Sequence, residues 1–135
     1  MMGTSRNMYF FEGPGAIISS SNQIHESNDE ISTTDLAIDS LADATALRST
    51  LLKWARGVDV RDYDGDGDVT DSRMQMGDPI HSQPVVINYS ETDSAILVAT
   101  NHGFLHSFDA ETGLENFAIA PKDMLQNVYA SSKTN

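Results

Sequence analysis

The chain has 135 residues, 20 acidic against 8 basic side chains, a formal net charge of −12 and no cysteine. This length fits one small domain, and an apolar fraction of 39% is enough for a modest core. The acidic excess disfavours nucleic acid and anionic membranes as partners, because both are bound through basic side chains. No stretch is long and apolar enough to insert into a membrane. The lack of cysteine excludes disulfides and thiolate zinc sites.

Residues 1–43 are only weakly patterned. Met8–Phe11 predicts a short strand that ends at the Gly13-Pro14-Gly15 turn. Thr34 or Asp35 is expected to cap a short helical turn over residues 36–41. The first 21 residues lack the continuous apolar run of a signal peptide, so an exported parent protein would carry its signal outside this chain.

Residues 44–57 predict one amphipathic helix and its C-terminal cap. Apolar side chains recur near the helical period and end in Trp54, while basic side chains occupy the other face. Asp43 or Thr45 is expected to cap the first turn. Gly57 is expected to follow the helix in a left-handed conformation, which glycine adopts without strain.

Residues 79–126 predict four short strands joined by tight turns, and residues 127–135 predict a polar tail that frays. Such a β-meander is also the plan of one propeller blade. The expected fold is therefore mainly β, a partial β-propeller of about one four-stranded antiparallel blade that follows the amphipathic helix and an acidic loop. A closed propeller needs at least about four blades, so a single blade would require neighbouring sheets or self-association. The four strands are expected near residues 85–89, 95–100, 104–109 and 114–120.

Residues 58–78 form the acidic loop, with seven aspartates against two arginines over residues 59–78. Asp62, Asp64 and Asp66 alternate in the spacing by which a calcium loop presents oxygen ligands. In that register Gly67 provides the sharp turn. We expect Ca²⁺ rather than Mg²⁺, because Mg²⁺ keeps its waters and prefers fewer carboxylates. The further expected ligands are the backbone carbonyl of Asp68, Thr70 through a water, and Asp71.

The loop departs from an EF-hand at the twelfth position, where Arg73 stands in place of glutamate. No second flanking helix is predicted either. The carboxylate ligand that glutamate provides at the twelfth position of an EF-hand must therefore come from another residue. The candidates are Asp71, Asp59 and Asp78. The alternative is a solvated acidic loop without a metal. Four carboxylates within seven residues repel one another, and a bound cation would relieve that repulsion.

Several ordered motifs resemble a known family. Residues 103–113 resemble the quinoprotein-type propeller repeat, in which a strand ends in aspartate and a Thr-Gly turn follows. Residues 53–60, the Asp/Gly loop, residues 76–86 and residues 100–113 come in the order found at the start of the propeller domain of PilC/PilY proteins. The resemblance covers about residues 47–125.

This resemblance implies a fragment of a large exported protein of type IV pilus assembly, retraction control and surface adhesion. It implies calcium binding in the propeller, a location in the cell envelope or outside the cell, and no enzymatic activity. Minor pilins and other pilus components, and a host surface, are the implied partners. Two alternatives remain open: a fragment of a quinone-dependent dehydrogenase propeller, and a calcium-binding β-domain of unrelated role.

Overall fold

The computed structural model describes residues 6–73 and 76–134. Their elements form one mixed sheet of five strands with two short helices, which agrees at this coarse level with the expected mainly β fold. The helices are α1 (Ala44–Ala55) and α2 (Val128–Thr134), and 3₁₀ turns cover Ser20–Asn22 and Lys122–Asn127. The strands are β1 (Met8–Phe11), β2 (Val85–Asn88), β3 (Ser94–Ala99), β4 (Leu105–Asp109) and β5 (Glu115–Pro121).

Strands β2 to β5 form an antiparallel meander, as the sequence predicted. Each strand pairs with the next along the chain, so the sheet order is β1-β5-β4-β3-β2. The register between β4 and β5 shifts at Ser107 and Phe108, which is the mark of a β-bulge. Each strand lies within two residues of its predicted bounds, because alternation and turn residues are local signals.

Strand β1 lies at the other edge of the sheet and makes it mixed. It pairs with β5 in parallel, with Met8 opposite Ala118 and Phe11 opposite Pro121. The backbone N–H of Ile24 donates to the carbonyl of Met8 at 2.8 Å, so the next segment also packs on this edge. The sequence predicted this strand but not its distant partner.

Helix α1 buries Leu51, Leu52 and Trp54 against the core. Gly57 follows the helix with a φ of 90°, as predicted. The predicted N-cap is wrong, because Asp43 makes no side-chain capping hydrogen bond and has a φ of 57°. Its backbone carbonyl instead accepts from the N–H of Leu47, which opens the first helical turn.

The helical turn predicted over residues 36–41 is not formed. The backbone N–H of Ala37 donates to Thr34 and that of Ile38 donates to Thr33, which gives turns rather than a helix. The Asp35 carboxylate reaches back to the N–H of Ser32 at 2.7 Å. A side chain used in this way cannot cap the residues that follow it.

The tail predicted to fray over residues 127–135 forms helix α2 over Val128–Thr134. Val128 and Ser132 are buried, and α2 packs against α1. Tertiary packing explains this difference, because a seven-residue helix has little stability of its own.

The core lies between α1, the sheet and the first 43 residues. Six of the described core residues come from that weakly patterned segment, namely Met8, Phe10, Ile24, Ile31, Leu36 and Ile38. The Arg48 guanidinium of α1 donates to the backbone carbonyls of Glu26, Asn28 and Ile31, which fixes this segment on the helix. Among the helices within the described ranges, none is long and apolar enough to cross a membrane.

Candidate metal centre

The acidic loop is closed at its base beside the C-terminus of α1. Val58 and Ser72 form an antiparallel bridge, and the N–H of Arg73 donates to the carbonyl of Gly57 at 2.7 Å. The N–H of Asp59 donates to the carbonyl of Asp71 at 3.0 Å. The two ends of the loop are therefore held together by backbone pairing, independently of the aspartate side chains.

Asp59 braces the loop from inside. It is 3% exposed, and its carboxylate accepts the backbone N–H groups of Tyr63 at 2.8 Å and Arg61 at 3.4 Å. These bonds turn the chain towards the aspartate run. Both carboxylate oxygens of Asp59 therefore take part in shaping the loop. Asp78, the other distant candidate, is exposed and lies outside the acidic group.

Asp62, Asp64 and Asp66 come together as their spacing predicted. One carboxylate oxygen of each lies within 4.8 Å of the others. The N–H of Gly67 donates to Asp62 Oδ1 at 3.0 Å, and Gly67 has a φ of 88°. The loop therefore curls around these carboxylates through its own backbone bonds, with a glycine where the turn needs positive φ.

Asp68 and Thr70 pair with each other beside this group. The N–H and hydroxyl of Thr70 donate to Asp68 Oδ1 at 2.8 and 2.6 Å. These hydrogen bonds stabilise the carboxylate and lower the pKa of Asp68. The two side chains thus brace the exit of the loop, and neither belongs to the three-carboxylate group.

The Asp71 carboxylate is close enough to the other aspartates of the loop to be repelled by their negative charges. Its Oδ1 is buried and has no hydrogen-bond partner among the described residues. Burial raises the pKa of Asp71, and repulsion from Asp64, Asp66 and Asp68 raises it further. A cation near these carboxylates would reverse that repulsion.

The spacing of the three carboxylates suits a hard cation. Oxygen ligands lie about 2.3–2.6 Å from Ca²⁺, so two ligands of one ion are at most about 5 Å apart. The three oxygens within 4.8 Å of one another meet this limit. Asp64 and Asp66 are exposed, and such groups are also common on surfaces without any metal.

A second polar cluster was not predicted from the sequence. Arg6 donates through Nε and Nη2 to the two carboxylate oxygens of Glu115, both at 2.6 Å. His106 Nδ1 lies 2.7 Å from Glu115 Oε1, and all three side chains are almost fully buried. Burial alone would raise the pKa of Glu115, but the hydrogen bonds from Arg6 and His106 lower it to about 2. The cluster joins the chain before β1 to strands β4 and β5.

Comparison of the chain with protein-family models, with curated proteins and with solved structures found no match. The fold and the site together describe a mixed sheet of five strands with two short helices and an acidic loop beside α1. Any function assigned to this chain therefore rests on its own residues and on the motif resemblance described above.

Proposed function

We propose that the loop over residues 59–71 binds one Ca²⁺ ion and that the ion orders the connection between α1 and the sheet. The observation that carries this proposal is the group of carboxylate oxygens of Asp62, Asp64 and Asp66 within 4.8 Å of one another. These three side chains provide the first ligands. Asp71 supplies a further carboxylate, Asp68 its backbone carbonyl and Thr70 a water-mediated contact.

Electrostatics favour an ion at this place. Like charges held this close repel one another; burial raises the pKa of Asp71, and repulsion from Asp64, Asp66 and Asp68 raises it further. The backbone bonds at Gly57, Asp59 and Gly67 hold the loop in its curled form. A bound divalent cation attracts the carboxylates that otherwise repel one another. Binding costs little conformational entropy of the loop, since the loop is already folded.

Calorimetric titration of the chain with CaCl₂ tests the metal site. We expect one saturable binding event per chain, and a loss of affinity of about tenfold or more in Asp64→Asn, because one charged ligand becomes neutral. Asp29→Asn is the matched control, since Asp29 is exposed and lies outside the acidic group. The proposal fails if no saturable heat is observed, or if Asp64→Asn binds as well as the control.

We further propose that the meander is one blade of a larger propeller in a non-enzymatic, pilus-associated protein at the cell surface. The motif resemblance supports this role, and so does the edge strand β2. Its Val85 and Val86 are 55% and 59% exposed, and Tyr89 and Ile80 beside the strand are 64% and 70% exposed. An edge with such apolar side chains is suited to being covered by a further sheet. Minor pilins and a host surface are the proposed partners.

The pilus role is tested in the host cell. A strain that lacks the gene is expected to carry fewer type IV pili by electron microscopy and to move less by twitching. A chromosomal Asp64→Asn strain is expected to share part of this defect, whereas an Asp29→Asn strain should behave as wild type. Normal piliation and motility in the deletion strain would contradict the pilus role and leave the calcium site to be judged by calorimetry.

A further inference from the structure

The outer edge of strand β2 is open. The sheet order places β2 at one edge, and within residues 6–73 and 76–134 no further strand pairs with it. The opposite edge is partly covered, because the N–H of Ile24 donates to the carbonyl of Met8 in β1 at 2.8 Å. Edge strands of natural proteins are usually protected by charged residues, proline or a bulge. Strand β2 contains no charged residue or proline, and its register with β3 is continuous.

The ladder between β2 and β3 shows which backbone groups face outwards. The N–H of Tyr89 donates to the carbonyl of Asp93 at 2.8 Å, directly after β2. Asn88 lies opposite Ser94, whose carbonyl accepts instead from the turn after β4 at 3.0 Å. Hydrogen-bonded and non-hydrogen-bonded pairs alternate in an antiparallel ladder. The N–H and C=O groups of Val86 and Asn88 therefore point away from β3, towards the open edge.

The side chains of this edge are apolar and exposed. Val85 and Val86 are 55% and 59% exposed, and Tyr89 is 64% exposed. Val85, Ile87 and Tyr89 alternate with the other two residues, so these three apolar side chains share one face. Residues 79–90 contain no aspartate, glutamate, lysine or arginine. Although the chain has a net charge of −12, two copies can thus meet at this segment without like charges at the contact itself.

We propose that a second copy of this chain pairs with β2 edge to edge and antiparallel, about a two-fold axis at Ile87. Val86 of each copy then lies opposite Asn88 of the other, and each such pair exchanges two backbone hydrogen bonds. Across the axis Ile87 faces Ile87, and Val85 faces Tyr89. All three apolar side chains of that face meet apolar side chains, and such cross-strand pairs stabilise a sheet.

The strand favours a second copy over a charged partner. An uncharged edge offers no ion pair to a basic or acidic peptide, whereas pairing about Ile87 satisfies the same backbone groups on both copies. The contact is smaller than the roughly 1,200–2,000 Å² of a stable interface, so we expect a weak dimer. The inference goes beyond the proposed function, because it names the source of the sheet that covers β2 and needs neither the ion nor the pilus role.

Salt separates self-association from binding of a basic partner. The charge of −12 on each copy causes repulsion at long range, which salt screens. We expect the dimer to tighten between about 20 and 500 mM NaCl, whereas a complex held by ion pairs would weaken. Sedimentation velocity of the chain over about 5–500 µM measures this, since weak dimers dissociate in the micromolar range. The result should be the same with calcium and with chelator.

Opposed charges at position 87 test the axis. Ile87→Lys and Ile87→Glu each place like charges opposite one another, and we expect each to weaken the dimer by about tenfold or more. An equal mixture of the two variants should dimerise again, because opposite charges then face each other. Ile18→Lys is the matched control, since Ile18 is 57% exposed and lies outside the sheet.

Circular dichroism checks that each variant folds. If the variants at Ile87 do not fold, Val86→Pro removes an outward N–H without removing a bond to β3, and it should also give a monomer. A wild-type chain that stays monomeric at every concentration and salt would overturn the proposal. So would a dimer that the Ile87 variants leave as tight as Ile18→Lys does, or variants that fail to dimerise when mixed. None of these results alters the calcium titration or the piliation test, so the two proposals can fail separately.

Discussion

Glu115 begins strand β5 and lies between Arg6 and His106, with 6% of its side chain exposed. Removing such a carboxylate from water is costly, and only close partners make it favourable. Its paired bonds to Arg6 and its contact with His106 meet this requirement. No local pattern indicated this cluster, because Arg6 and Glu115 are 109 residues apart in the chain. The aspartates of the loop, by contrast, were predictable because their spacing is itself the signal.

Glu115→Gln tests the buried cluster. We expect it to lower the free energy of unfolding by about 3 kcal/mol, because it leaves the Arg6 charge buried without a counterion. Urea denaturation followed by circular dichroism measures this. The control is Glu111→Gln in the exposed turn between β4 and β5, where the change should stay within about 0.5 kcal/mol. Similar small losses in both variants would contradict the assignment.

The same cluster makes stability depend on pH in a defined direction. Folding lowers the pKa of Glu115 from the ordinary 4.5 to about 2. A carboxyl with a depressed pKa stabilises the fold fully above its unfolded value and loses that contribution as the pH falls through the folded one. The stability difference between wild type and Glu115→Gln should therefore be full above about pH 4.5 and shrink towards pH 2. A difference that stays constant over this range would contradict the linkage.

At the scale of elements, local signals predicted most of what formed. Helix α1 and strands β2 to β5 follow from hydrophobic periodicity and from turn residues, which act over a few positions. The two helix caps predicted from the sequence were wrong because the local backbone offered these side chains a different conformation or hydrogen bond. Asp35 bonds back to Ser32 instead of capping the residues after it, and Asp43 takes a left-handed conformation instead of capping α1. Both outcomes depend on backbone geometry that composition does not encode.

Asp59→Ala tests how the acidic loop is built as an element. We expect a loss of about 2 kcal/mol in the free energy of unfolding, because the N–H groups of Arg61 and Tyr63 lose their buried acceptor. Thermal unfolding without calcium measures this apart from metal binding. Asp29→Ala, at an exposed position, is the control and should be near neutral. If Asp59→Ala is equally neutral, Asp59 does not brace the loop.

For the whole molecule, the main surprise is the role of the first 43 residues. They were predicted as a weakly patterned segment, yet they supply fully buried core residues and the strand that pairs with β5. Beyond β1, the buried residues Ile31, Leu36 and Ile38 are spread singly through turns and irregular backbone, so no periodicity marks them as core. Contacts between Met8 and Ala118 span almost the entire chain, and such long-range pairing is not visible in a local pattern.

Two isoleucines of this segment provide a matched test of that role. Ile31 is 0% exposed and Ile18 is 57% exposed. We expect Ile31→Ala to lower the free energy of unfolding by about 3 kcal/mol, through lost burial and the cavity left behind. Ile18→Ala should change it by less than about 0.5 kcal/mol. Equal effects in denaturant titrations would show that the segment is not part of the cooperative core.

The measurement that tests the proposed calcium site most directly is an NMR titration of the ¹⁵N-labelled chain with CaCl₂. The N–H of Gly67 donates to Asp62 Oδ1 and the N–H of Asp68 donates to Asp66 Oδ1, so both amides sense the proposed ligands. We expect these amide resonances to shift saturably with one ion per chain, while amides of the meander move little. Unchanged loop resonances up to about 10 mM Ca²⁺, well above the Kd of weak calcium modules, would contradict the site.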